Sequence, residues 1–181
     1  GEMRRHHDHA RDPEEDDVEA GDQHVARHVA NEAARGHRVF TTAGSDEKCR
    51  VARGFGAAYA VNYRNGDFVA AIKTQTQGKG VDVILDMVGG DYIQRNIEAA
   101  APWGRIVNIA YQQSFRAEVN FAPVLTKRLT LAATTLRGRS GPQKQAIRDT
   151  LLREVWPWLG TRIHPVTDRV FAWDQAGQAH E

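Results

Sequence analysis

Apolar residues recur along this 181-residue chain with two different periods, and the alternation between those periods sets out an order of elements. From about Val18 to Arg35, the spacing of Val25, Val29 and Ala33 predicts a helix with a thin apolar stripe, and Gly36 is placed to stop it. A β-like run follows from His37 to Thr42, then a helix from about Asp46 to Arg53 and a short strand from Ala58 to Asn62. The pattern repeats with a helix from Asp67 to about Thr76, the run Val81 to Asp86, a helix from about Asp91 to Ala101, and the run Arg105 to Ala110. A β-rich segment, Leu129 to Thr135, leads into a long helix from Pro142 to about Leu159. Strands separated by single helices predict parallel pairing through right-handed crossovers. Val83 to Leu85 and Ile106 to Ile109 have the near-continuous apolar character of buried parallel strands. The expected fold class is α/β, a partial doubly wound parallel sheet.

Charge divides the chain into two materials. The net charge is +1, yet the first 24 residues carry nine carboxylates against three arginines, which leaves the body basic. The segment Asp12-Pro13-Glu14-Glu15-Asp16-Asp17 has almost nothing to bury, so residues 1–17 are expected to be a disordered acidic and His-rich tail. His6, His7, Asp8 and His9 make at best a weak, unselective chelator, and no metal site is assigned to them. The single cysteine, Cys49, excludes an internal disulfide framework and a thiolate zinc cluster. No apolar stretch approaches the roughly 18 residues of a membrane span, and no signal-peptide core opens the chain, so a cytoplasmic location is expected. Arg137, Arg139 and Lys144 neither form a dense run nor alternate with aromatics, and no nucleic-acid partner is expected. The four tryptophans, Trp103, Trp156, Trp158 and Trp173, are expected to be packing groups.

In an open α/β sheet, ligands meet the carboxyl ends of the strands. Four segments occupy such positions. In Thr42-Ala43-Gly44-Ser45-Asp46-Glu47-Lys48, the strand end that would need a carboxylate to accept from ribose hydroxyls holds Ala43 and Gly44. Ser45 and Lys48 can instead serve a 2′-phosphate, while Ser45 is equally suited to cap the next helix. Val61-Asn62-Tyr63-Arg64 presents a ring with a polar tip and an adjacent guanidinium; Tyr63 either faces a cofactor or covers the sheet edge. In Asp86-Met87-Val88-Gly89-Gly90-Asp91 the glycines either admit a ligand to the backbone or make a tight turn with Asp91 as a helix cap. Asn108-Ile109-Ala110-Tyr111 offers backbone groups to a flat ring. Cys49 beside Lys48 lacks a nearby histidine, and no catalytic residue is assigned.

Together, Thr42 to Cys49, Asn62-Tyr63-Arg64 with Asp67-Phe68, Gly80 to Gly90 and Gly104 to Ala110 resemble the quinone oxidoreductase (zeta-crystallin-like) branch of the zinc-independent medium-chain dehydrogenase/reductases. The similarity covers about Ala34 to Glu181 and includes Lys127 to Leu131, Arg153 to Pro157 and Pro165 to Phe171. The resemblance implies a Rossmann-like domain, NADPH as cofactor, no catalytic metal, and hydride transfer to a quinone or enone. It implies that Ser45, Lys48 and Tyr63 lie at the adenosine phosphate end, with Gly89, Ala110 and Tyr111 nearer the nicotinamide. It also implies a homodimer formed through the strand Leu129 to Thr135, whose open edge would otherwise be unpaired.

The departures from that family are as informative. No strand with a Gly-rich turn precedes the helix near Val25, and Gly21 has acidic neighbours that repel a pyrophosphate. The first strand is central in the 3-2-1-4-5-6 order, so without it the sheet is expected to split. Residues 18–160 are read as a partial NADPH-binding domain, and 161–181 as the start of a return segment toward a catalytic domain that the chain lacks. The expectation is therefore a fragment with weak activity or none; the alternative is a noncatalytic nucleotide-binding or dimerisation module.

Overall fold

Short runs of apolar residues between good helix formers leave little choice but strand, helix and strand in turn, and a computed structural model shows that alternation over residues 28–164 and 170–180. The expected disordered tail over 1–17, the expected helix over 18–27 and residues 165–169 lie outside the described residues. Helix α1 is seen over 28–34, and Gly36 follows it in the left-handed region at φ 85°. Strands β1 (Phe40–Ala43) and β2 (Tyr59–Asn62) then pair in parallel, with Phe40 beside Tyr59 and Ala43 beside Asn62. Helix α2 (Asp46–Gly54) joins them, its first turn acidic and Arg53 in its last turn, as the helix dipole favours. Small side chains let α1 and α2 sit close on this pair: Val29, Ala43, Cys49, Ala52, Ala57 and Ala60 form one buried cluster.

Helix α3 (Phe68–Gln75) packs on the opposite face. Asp67 caps it by accepting from the Val69 amide at 2.9 Å, and Phe68, Val69 and Ile72 bury against Ala99, Phe40, Val61 and Ile84. The second sheet contains β3 (Val81–Asp86), β4 (Ala100–Asn108) and β5 (Thr130–Ala133), all parallel, with β4 in the middle. Helix α4 (Tyr92–Ala99) connects β3 to β4, and a short α5 (Ala122–Lys127) precedes β5. Ile97, Ala100 and Ile106 form the core on that side. Helix α6 (Gly141–Glu154) has no buried residue.

The sheet is split as expected: β1 bonds only β2, and β3 bonds only β4, among the described residues. Adjacent residues of β2 show how the halves are arranged, because Ala60 faces the α1–α2 cluster and Val61 faces α3. With helices on opposite faces, two right-handed crossovers must run in opposite directions, which puts β3 on the β1 side of the first sheet.

Several boundaries differ from the sequence expectation. Helix α4 stops at Ala99 and β4 starts at Ala100, because Ala101 precedes Pro102 and that position disfavours helix. The early part of β4 is irregular: Val81 pairs Ala100 but Val83 pairs Arg105, and Trp103 between them has φ 64°. The last long helix ends at Glu154 and gives way to a 3-10 turn at Trp156–Trp158, where Pro157 cannot donate to a continuing helix. The tryptophans are not core groups. Trp103, Trp156 and Trp173 are exposed, and only Trp158 is half-buried, with Arg35 and Arg162 against its ring at 5.3 Å and 4.8 Å.

Candidate functional site

The carboxyl ends of the strands carry two groups of residues, one on each sheet. On the first sheet, the Tyr63 amide donates to the Ala43 carbonyl at 3.1 Å, which closes β2 over the end of β1. This brings the Tyr63 ring onto Gly44, where a Cβ would stand 2.9 Å from the Tyr63 hydroxyl and 3.7 Å from Arg64 Nε. A side chain there would have to displace the Tyr63 hydroxyl. Ser45 is extended and its Oγ accepts from the Lys48 amide at 3.2 Å, so the helix-cap role is realised. The cap uses the hydroxyl as an acceptor and leaves its proton to donate elsewhere. Asn62 donates to the Asp46 carboxylate at 2.9 Å and accepts from the Arg64 amide at 3.1 Å, holding the nearest acid against β2. Tyr63 and Arg64 are therefore brought against Gly44, next to Ser45 in the chain, and the Lys48 amide is bonded to Ser45.

The second group is tied by Asp86, whose side chain is buried at the end of β3. Its Oδ1 accepts from the Val88 and Gly89 amides at 2.8 Å and 3.3 Å, and its Oδ2 accepts from Asn108 Nδ2 at 2.7 Å. The loops after β3 and β4 are then joined by Gln112 to Met87, Gln113 to Val88 and Gly90 to Ser114 backbone bonds. Gly89 and Gly90 have φ of 71° and 52°. A Cβ on Gly89 would lie 2.7 Å from both the Ser114 carbonyl oxygen and Tyr111 Cδ1, so these glycines admit the neighbouring loop. Tyr111 and Ala110 are half-buried beside them, and the Tyr111 ring lies 5.3 Å from Phe115. Asp91 makes no side-chain cap; the Tyr92 and Ile93 amides donate to Gly89 and Gly90 carbonyls instead.

Sequence reasoning placed Ser45, Lys48 and Tyr63 in one group and Gly89, Ala110 and Tyr111 in another; the structure sets Tyr63 against Gly44 beside Ser45 and Tyr111 against Gly89, with the Lys48 amide bonded to Ser45 and Ala110 half-buried. It gave no weight to Asp86 or Asn108 as a pair. A carboxylate ending a buried strand, two residues before a glycine pair, was the available signal. Cys49 is buried, and burial pushes its thiol pKa up, against a nucleophilic role. Among the described residues, no three His, Cys, Asp or Glu side chains converge to hold a metal. A cleft of about 370 Å³ lined by Lys73, Lys79, Glu98 and Lys127 lies at the amino ends of β3 and β4, away from both groups.

In an open parallel α/β sheet, loops of this kind at the carboxyl ends of the strands are where ligands are generally bound. Residues 24–154 match the family model described as "Zinc-binding dehydrogenase". The chain belongs to that family, on the quinone oxidoreductase-like branch of the medium-chain dehydrogenase/reductases. It is 34% identical over 146 residues to quinone oxidoreductase-like protein 2 of Rattus norvegicus, a match covering 78% of this chain and 41% of the rat protein. Among solved structures it is similar to the JamJ enoyl reductase, with TM-score 0.65, 25% identity, and coverage of 84% of this chain and 45% of that one. The quinone oxidoreductase of Thermus thermophilus shares the fold at TM-score 0.70 and 23% identity, with 84% and 48% of the two chains covered. The chain spans about two fifths of the length of its curated quinone oxidoreductase-like relatives.

Proposed function

We propose that this chain is the nucleotide-binding portion of an NADPH-dependent reductase and that it grips the adenosine 2′-phosphate between Ser45, Lys48 and Arg64, with Tyr63 against the adenosine. The supporting observation is the Gly44 cradle. The Tyr63 hydroxyl and Arg64 Nε lie against Gly44, and the Asp46 carboxylate two residues on is engaged by Asn62. That chemistry suits a phosphate dianion better than a bare ribose diol. When bound, NADPH supplies a hydride from C4 of its nicotinamide, and the acceptor class is a quinone or enone. Ala110, Tyr111 and the Gly89 loop support the nicotinamide end by excluding water and offering backbone polar groups.

Among the described residues, no glycine-rich turn at a helix start provides amides for the pyrophosphate. Binding therefore rests on the adenosine end, and turnover by this chain alone is weak or nil. Titration with NADPH and NADH, followed by a quinone assay, tests the reading. Charge-assisted bonds to the extra phosphate predict NADPH binding about tenfold or more tighter than NADH. Equal binding of the two, or rapid quinone reduction by the isolated chain, would contradict it.

A second reading, a dimerisation module, is favoured by β5. All four of its residues are exposed and its outer edge is unpaired among the described residues, so a copy can add its own β5 there. A homodimer through Leu129 to Thr135 then coexists with the cytoplasmic, NADPH-binding role. Mass measurement by light scattering tests it, and a monomer at high micromolar concentration would argue against it.

A further inference from the structure

We infer that Asn62 is a positioning residue for cofactor choice: its side-chain amide holds the Asp46 carboxylate on β2, and this keeps the strand end at Gly44 open to a 2′-phosphate. Such a role presupposes the 2′-phosphate site proposed above.

Two acids follow Ser45, and each has a partner. Glu47 pairs with Arg50 at 3.1 Å, one turn on along the exposed side of α2. Asp46, the first residue of α2, meets the end of β2 instead, where Asn62 Nδ2 donates to its Oδ1 at 2.9 Å. The three atoms nearest to a Cβ on Gly44 accordingly belong to Tyr63 and Arg64. A carboxylate at this strand end is the group that accepts from the ribose hydroxyls of a cofactor without the extra phosphate. Facing a phosphate dianion, the same group repels. Where Asp46 is held therefore decides which ligand it opposes.

The seat of Asn62 is fixed by the backbone. Its register partner across the sheet is Ala43, and the Asn65 amide donates to its carbonyl at 3.3 Å in the turn that leaves β2. Within that turn Asn62 Oδ1 accepts from the Arg64 amide at 3.1 Å, an Asx turn that leaves Nδ2 for Asp46. Chemistry then dictates the residue type. An aspartate keeps the turn but meets Asp46 with like charge, and an alanine serves neither neighbour. The amide accepts from one and donates to the other. One side chain thus holds the acid on β2 and sets the backbone of Arg64, whose Nε lies against Gly44.

The test uses the full 181-residue chain and titrates 2′,5′-ADP and 5′-ADP by calorimetry into the parent, Asn62→Ala, Asp46→Ala and the double variant. In Asn62→Ala the freed Asp46 is expected to lower the preference for 2′,5′-ADP about fivefold or more, while 5′-ADP binds as in the parent or tighter. Adding Asp46→Ala to that variant is expected to restore most of the preference; in the parent the same change should alter it less than about twofold. Circular dichroism is expected to be the same for all four chains. Asn62→Asp, which keeps the acceptor of the turn, is expected to show the loss as well. A parent that binds the two ligands equally would sink the 2′-phosphate reading and this inference with it. A parent preference that survives Asn62→Ala or Asn62→Asp would overturn the inference alone. Equal weakening of both ligands, or a double variant that recovers nothing, would reduce Asn62 to a structural role and overturn it too.

Discussion

The Asp86 carboxylate accepts a 2.7 Å hydrogen bond from the Asn108 side-chain amide, and this contact ties the carboxyl ends of β3 and β4 to each other. The other oxygen of Asp86 holds the Val88 and Gly89 amides, so one buried acid organises two loops. Asp86→Ala strands three donors in the protein and is expected to cost about 3 kcal/mol, and Asn108→Ala about 1 kcal/mol. Because the two residues share one network, the double variant should cost less than the sum. Urea unfolding checks this, and strict additivity would contradict it.

Gly44 is small because Tyr63 needs the space. Gly44→Ala puts a methyl 2.9 Å from the Tyr63 hydroxyl. The clash is with the end of a mobile side chain, so the stability change is expected to stay below about 1 kcal/mol. The displaced ring should nevertheless weaken NADPH binding about tenfold. Thermal melting and nucleotide titration separate the two effects, and unchanged affinity would remove Gly44 from the site.

Asp67 links folding to pH. Burial works to raise its carboxyl pKa, but the Val69 amide and Arg95 outweigh that, and the net shift is downward. The folded state thus prefers the ionised form. Its stabilisation is fully present above the ordinary carboxylate pKa of about 3.9 and is lost as pH falls through the lower folded value. Asp67→Ala also removes the α3 cap and should cost about 1 kcal/mol at pH 7, with the difference from the parent chain shrinking as pH falls below the ordinary carboxylate range. A difference independent of pH would show that the carboxylate charge plays no part.

Lys127 Nζ donates to the carbonyls of Ile97, Glu98 and Ala100 at 3.0, 3.0 and 2.9 Å, pinning α5 to the end of α4 and the start of β4. Lys127→Met keeps the stem and removes all three donors. A loss of about 2 kcal/mol is expected, with faster exchange over 97–100. A change within about 0.5 kcal/mol would mean that water replaces the ammonium without cost.

The order of strands and helices was legible because parallel strands are nearly uniform in apolarity while Ser45 and Asp67 announce helix starts. Val81–Asp86 was bounded correctly for that reason. Helix α5 escaped, since six residues with Pro123 near their start carry no full apolar period. The irregular opening of β4 escaped too, because a left-handed Trp103 is set by tertiary packing. At the site, strand-end logic singled out the segments of Ser45 with Lys48 and of Tyr63 with Arg64, and the resemblance to the quinone oxidoreductase branch grouped Ser45, Lys48 and Tyr63. Arg64 could not be ranked with them, because only the three-dimensional closure of Tyr63 onto Gly44 shows that its guanidinium reaches the same point.

The most direct measurement of the central claim compares 2′,5′-ADP with 5′-ADP by isothermal titration, because these ligands isolate the adenosine end from the rest of the cofactor. Recognition of the 2′-phosphate by Ser45, Lys48 and Arg64 predicts that 2′,5′-ADP binds about tenfold or more tighter, and that Arg64→Ala erases most of the difference. Equal affinity for the two ligands, or a preference that survives Arg64→Ala and Lys48→Ala together, would contradict the account.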